Sequence, residues 1–265
     1  MKKALLYTTA FLCIQLIMSS IVQGIWMLVT GKSASEMGSQ LLIVSTIAAN
    51  IAIILVFVCL KWVPVSRDYI RSRPWAVLFW CCIASLGAII PSTALQETMP
   101  ELPNVVEQQM EMLLRSRWGY VALGLLAPLA EELVMRGAVL RSLLNQLLRP
   151  WVAIAISALL FALIHLNPIQ MPHAFLIGLL LGWLYWRTGS IVPGIAFHWM
   201  NNTAAYVLYN FYPDPSLTLS DLFGSQRNVA AAVVFSLLIL LPALYQLHLR
   251  MRKVKSEDLG IESEE

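Results

Sequence analysis

Eight apolar blocks, most of them long enough to cross a bilayer, follow one another along this chain of 265 residues. They constrain its fold more than any other feature. A helix that spans the hydrocarbon core needs about 20 mostly apolar residues, because the core is about 30 Å thick and each helical residue rises about 1.5 Å. The blocks read as helices over Ala4–Val29, Leu41–Val63, Trp75–Leu95, Trp118–Leu148, Trp151–Leu166, Pro172–Trp186, Ile191–Tyr212 and Val229–Leu249. Composition agrees. Only 12% of residues are charged, where a soluble domain carries about 25%. So greasy a chain is neither a soluble globule nor disordered, since disorder needs low hydrophobicity and high charge density. The net charge of +3 is small, and its short basic runs between apolar blocks indicate membrane topology rather than nucleic-acid binding.

The first block follows Met1-Lys2-Lys3 like a signal peptide. It is longer than a secretory h-region and lacks a small-x-small cleavage site, so it reads as an uncleaved anchor. With the N-terminus placed inside, 13 cations fall on inner segments and four on outer ones (Lys32, Arg115, Arg117 and Arg227). That bias predicts both termini in the cytoplasm. The expectation is an all-α, polytopic membrane bundle of about eight helices. Its parts are N-terminal helices and a polar connecting segment (1–117), a core (118–212), a last spanning helix (213–249) and a charged cytoplasmic tail (250–265). The connecting stretch Gln96–Arg117 is weakly amphipathic, with Glu97, Glu101, Glu107 and Glu111 and the breakers Pro100 and Pro103. The four cysteines lie within apolar runs without CxxC spacing and read as packing residues.

An ionisable side chain in a spanning helix costs about 2.5–3.5 kcal/mol on insertion scales, so it normally faces a partner or a polar cavity. Three blocks carry such groups. The fourth contains Glu131-Glu132-Leu-Val-Met-Arg136, the fifth Phe161-Ala-Leu-Ile-His165 and the seventh His198-Trp-Met-Asn201-Asn202. Each pair spaced i, i+4 shares a helix face. Glu131 points about 100° from Glu132, so Arg136 can hold one carboxylate while the other stays free. Singly, each feature is ordinary: a buried ion pair, a hydrogen-bonded His, a polar tie between helices. Together they supply the parts of a hydrolytic site. A carboxylate deprotonates water, a histidine orients it or shares the proton, and imidazole and amide groups donate to an oxyanion.

The set Glu-Glu-x-x-x-Arg, Phe-x-x-x-His and His-x-x-x-Asn resembles the motifs of the CAAX protease and bacteriocin-processing (Abi) family. These are intramembrane proteases similar to the type II CAAX prenyl endopeptidases. The resemblance covers residues 118–210. It implies that Glu131 activates the attacking water with help from His165, and that His198 and Asn202 stabilise the oxyanion. It implies too that Glu132 and Arg136 form a support pair, with Phe161 beside them. Glu131, His165 and His198 could instead hold a single zinc ion with an open fourth position. The metal-free scheme is preferred, because only two histidines are available and His-Glu-x-x-His is absent.

The expected partners are membrane lipid and a membrane-associated peptide or protein substrate, in the bacterial cytoplasmic membrane. A non-catalytic scaffold or bacteriocin-immunity protein of the same fold is the alternative. A proton-coupled transporter is disfavoured, because the polar groups crowd into one half of the chain and no duplicated halves are seen. His173 reads as an interfacial residue on the outer side and His248 as a membrane-surface group. Gly178 and Gly182 read as a close-packing pair.

Overall fold

A computed structural model describes residues 1–31, 38–64, 66–147, 149–214 and 217–251. The expected tail from residue 252 onward, Lys32 and Leu148 lie outside the described residues. The described residues contain helices and no strand. In chain order these are α1 (Lys2–Thr30), α2 (Ser39–Cys59), α3 (Asp68–Arg71), α4 (Trp75–Glu97), α5 (Glu107–Leu114), α6 (117–144), α7 (Pro150–Leu163), α8 (Met171–Thr188), α9 (Val192–Phe211), α10 (Leu219–Phe223) and α11 (Gln226–Arg250).

Each expected block has a helix, with corrected ends. α2 stops at Cys59 rather than Val63, where Lys61 takes a left-handed φ of 55°. α7 stops at Leu163 rather than Leu166. The connecting stretch is not merely a polar link, because it contains α5. Among the described residues four helices, α1, α2, α4 and α11, are long and apolar enough to cross a membrane. Their outward side chains, such as Leu16, Leu28, Phe235 and Leu238, are exposed. Soluble monomers rarely leave apolar surface of this extent uncovered, so these faces are suited to lipid. Of the other long helices, α6 to α9, the polar motifs lie on α6, on α7 with the turn after it, and on α9.

α6 is the axis of the fold and packs against α1, α2, α7 and α9. Its residues 133–140 are all buried and, apart from Arg136, apolar. α4 lies between α11 and α9. α7 and α8 pack closely because Gly178 faces Ala158 and Gly182 faces Ile154. A Cβ on either glycine would come within 3.0 Å or 2.8 Å of its neighbour.

α6 is not α-helical throughout. Val121–Leu126 and Leu133–Leu140 are π-helical and flank the α-turn Ala127–Glu132 that carries both glutamates. In the first π stretch the Ala127 N–H bonds the Ala122 carbonyl. The i→i+5 partner of the Leu123 carbonyl would be residue 128. That residue is Pro128, which has no N–H to give.

Candidate active site

The α-turn between the π stretches sends its two glutamates to different places. Glu132 is fully buried. Its Oε1 accepts from Arg136 Nη1 at 2.8 Å, the i, i+4 contact expected of this pair. Arg136 is also buried, and its Nη2 donates to the Gly178 carbonyl of α8 at 3.3 Å. The Phe161 ring lies 4.4 Å from its Cζ, a cation–π contact strengthened by the absence of water. Two ions taken out of water cost several kcal/mol each, so such a pair persists only with its hydrogen bonds in place.

The same Glu132 Oε1 lies 3.1 Å from His198 Nδ1 on α9. Glu132 Oε1 already accepts from Arg136, so in this bond it accepts again and the proton resides on Nδ1 of His198. The ring is thereby oriented, and its Nε2 stands 3.8 Å from Glu131 Oε2. Glu131 is partly exposed to a cavity, and its Oε2 is buried without a hydrogen-bond partner. Gly194, one turn before His198, is what lets α9 come this close. A Cβ there would lie 2.6 Å from Glu132 Oε2.

His165 does not sit on a helical face as the i, i+4 spacing implied. It lies in the turn after α7, and its Nδ1 bonds the Phe161 carbonyl at 2.8 Å. A carbonyl only accepts, so Nδ1 carries the proton and Nε2 is left for the cavity. Phe161 meets both imidazoles edge-on, with ring centroids 5.0 Å from His165 and 5.6 Å from His198. One aromatic ring thus contacts the two histidines and Arg136.

Asn202 Nδ2 donates to the Leu123 carbonyl at 2.9 Å, the group left over by Pro128. The tie fixes the start of α6 to α9 and leaves the second amide proton of Asn202 uncommitted. Asn201 Nδ2 lies 3.4 Å from Asn202 Oδ1 and steadies the same side chain.

Glu131, His165, His198 and Asn202 line a single cavity of about 390 Å³. Sequence reasoning missed other parts of its wall. His173, expected at the membrane interface, lines the cavity and its Nδ1 lies 3.1 Å from Ser92 Oγ of α4. Asn201 lines it too, and Met110 and Leu114 bring α5 to its edge. No i, i+4 mate marks His173. The only cue to α5 was its weak amphipathicity.

Glu131, His165 and His198 would be the donors for a metal ion. Among the described residues no three His, Cys, Asp or Glu side chains are grouped closely enough to hold one. The Nδ1 atoms of both histidines are engaged elsewhere, by Phe161 and by Glu132, which leaves both Nε2 atoms as the ring nitrogens a metal would use.

A family model described as type II CAAX prenyl endopeptidase Rce1-like matches residues 114–204. That segment is about a third of the chain and contains every residue of the three motifs. No curated protein and no solved structure gives a significant match. The chain resembles the Rce1-like CAAX proteases. The match and the apolar helices together support an integral membrane protein with a protease-type function.

Proposed function

We propose that this protein is an intramembrane endopeptidase that cleaves a membrane-associated peptide or protein with water activated by Glu131. The observation that carries the reading is one cavity holding an unpartnered carboxylate oxygen, two imidazoles with assigned protons and an amide with a donor to spare. Water held at Glu131 Oε2 and His165 Nε2 gives a proton to Glu131 as its oxygen attacks the scissile carbonyl. The charge developing on that carbonyl oxygen is met by the free Asn202 amide proton. His198 Nε2 joins in as a donor when the ring is an imidazolium, since its Nδ1 proton is committed to Glu132. Collapse of the tetrahedral intermediate breaks the C–N bond. Glu131 returns its proton to the leaving amine, and the products are a carboxylic acid and an amine, which exchange the remaining proton to become carboxylate and ammonium. Glu132 and Arg136 touch no reacting atom; they position His198 and the α6 turn.

We prefer this scheme to a zinc ion held by Glu131, His165 and His198 because the described residues present no three-ligand grouping; the Nδ1 bonds of the two histidines suit either scheme. In this reading α6 to α9 join the four apolar helices as crossings, eight in all with both termini in the cytoplasm. The host is then a bacterial inner membrane and the family the Abi branch. A scaffold or immunity protein has no use for a bare carboxylate beside two imidazoles in a mainly apolar cavity.

The test uses purified protein in lipid vesicles and membrane-anchored quenched peptides. Products are identified by mass spectrometry in isotopically labelled water, with and without chelator. One labelled oxygen in the new carboxylate and full activity under chelation are expected. Absence of any product across a broad peptide set would remove the protease reading. Loss of activity restored by zinc alone would replace the metal-free scheme.

A further inference from the structure

Farther along α6, beyond the buried pair, a second and larger cavity of about 870 Å³ opens between the start of α1, the turn after α2 and the end of α6. Lys2 and Lys3 of α1, Lys61 of the turn and Arg141 of α6 line it, and among the described residues no Asp or Glu lines it. Lys2, Lys3 and Lys61 alone bring three like charges into one concave site, where they create a positive potential focused by the low-dielectric walls. The site is shaped as well as charged. Tyr7 and Trp62 form part of its wall, with ring centroids 5.2 Å apart, and Phe57 backs Trp62 at 5.0 Å. Lys61 is held at a φ of 55°, a left-handed conformation that disfavours a residue with a Cβ. Bonds from Lys61 N to the Val58 carbonyl and Trp62 N to the Phe57 carbonyl, both 3.0 Å, fix that turn.

We infer that this groove binds the phosphate of an anionic phospholipid headgroup. Lysine ammoniums and an arginine fork match a phosphate monoanion. The size lies within the range of small-ligand sites, about 300–1,000 Å³. Tyr and Trp are suited to headgroup depth, where one end of the ring is apolar and the other wet. A lipid rather than a soluble phosphate is favoured by what lies beside the groove. α1 is the apolar helix least covered by the rest of the bundle, and Leu5, Leu6 and Ile17 on it are exposed. Acyl chains can follow that uncovered helix while the phosphate reaches the cations. The site is separate from the cavity of Glu131 and does not depend on proteolysis.

The test is native mass spectrometry of the full-length protein in neutral detergent, titrated with phosphatidylglycerol, phosphatidylcholine or inorganic phosphate. Retention of phosphatidylglycerol over phosphatidylcholine is expected. Each lysine near an anionic group contributes about a fivefold factor in binding, so the Lys3→Gln/Lys61→Gln double variant should bind phosphatidylglycerol roughly 20-fold more weakly. The Lys3→Arg/Lys61→Arg variant should stay within about threefold of the parent, and its unchanged melting temperature serves as the folding control. Equal retention of the two lipids, or equal affinity in the Gln and parent proteins, would overturn the assignment. Displacement of the lipid by low millimolar inorganic phosphate would also overturn it and make the groove a site for a soluble phosphate ester.

Discussion

Glu132 fixes His198: its Oε1 lies 3.1 Å from the imidazole Nδ1, and that contact leaves Nε2 facing Glu131. The carboxylate is therefore a positioning group rather than a spare acid. Glu132→Gln strands the buried Arg136 charge and should lower stability by about 3–5 kcal/mol. Replacing both partners, as Glu132→Leu/Arg136→Met, should recover most of that loss, because an apolar pair of similar volume is often neutral or better. Proteolysis should stay impaired even in the stable double variant, since His198 has lost its orienting acceptor. Unfolding in detergent and peptide cleavage, measured on the same preparations, check this. A double variant with parental activity would show that Glu132 serves stability alone.

Asn202 completes the hydrogen bonding of α6 across a gap that Pro128 makes. Asn202→Ala should cost about 1–3 kcal/mol through the orphaned Leu123 carbonyl. In a Pro128→Ala background, where residue 128 regains an N–H, the same change should cost less. The double-mutant cycle would then give a coupling of at least about 0.5 kcal/mol. Strict additivity would mean that the two residues do not share that carbonyl.

Gly194→Ala tests the closest approach of α9 to the glutamates. In an exposed helix this change gains about 1 kcal/mol. Here the new methyl would meet Glu132 Oε2 at 2.6 Å, and overpacking of this kind costs about 1–3 kcal/mol. A lower melting temperature with reduced cleavage is expected. A raised melting temperature would place Glu132 elsewhere.

Much of this was legible because lipid solvation is a coarse filter. Runs such as Leu41–Val63 and Val229–Leu249 have one apolar use, and the helices stand within a few residues of the expected ends. The partnership of Glu132 with Arg136 follows from helical spacing. His165 was harder to place. Its spacing from Phe161 suggested a shared face, but α7 ends at Leu163 and the ring turns back onto a carbonyl. The π turns of α6 were hidden, because reading by faces assumes 3.6 residues per turn throughout. Pro128 was their one visible trace. His173 and α5 reach the cavity only through tertiary packing, which no local pattern records.

The most direct test of the account is the cleavage rate of Glu131→Gln, an exchange that keeps the size of the side chain and removes its basicity. The partly exposed Glu131 holds no buried cation as Glu132 does, so folding and membrane insertion should match the parent. The rate of peptide hydrolysis should fall about 10²–10⁴-fold, the contribution of a positioned general base. A folded Gln variant that cleaves at the parental rate would contradict the assignment of water activation to Glu131.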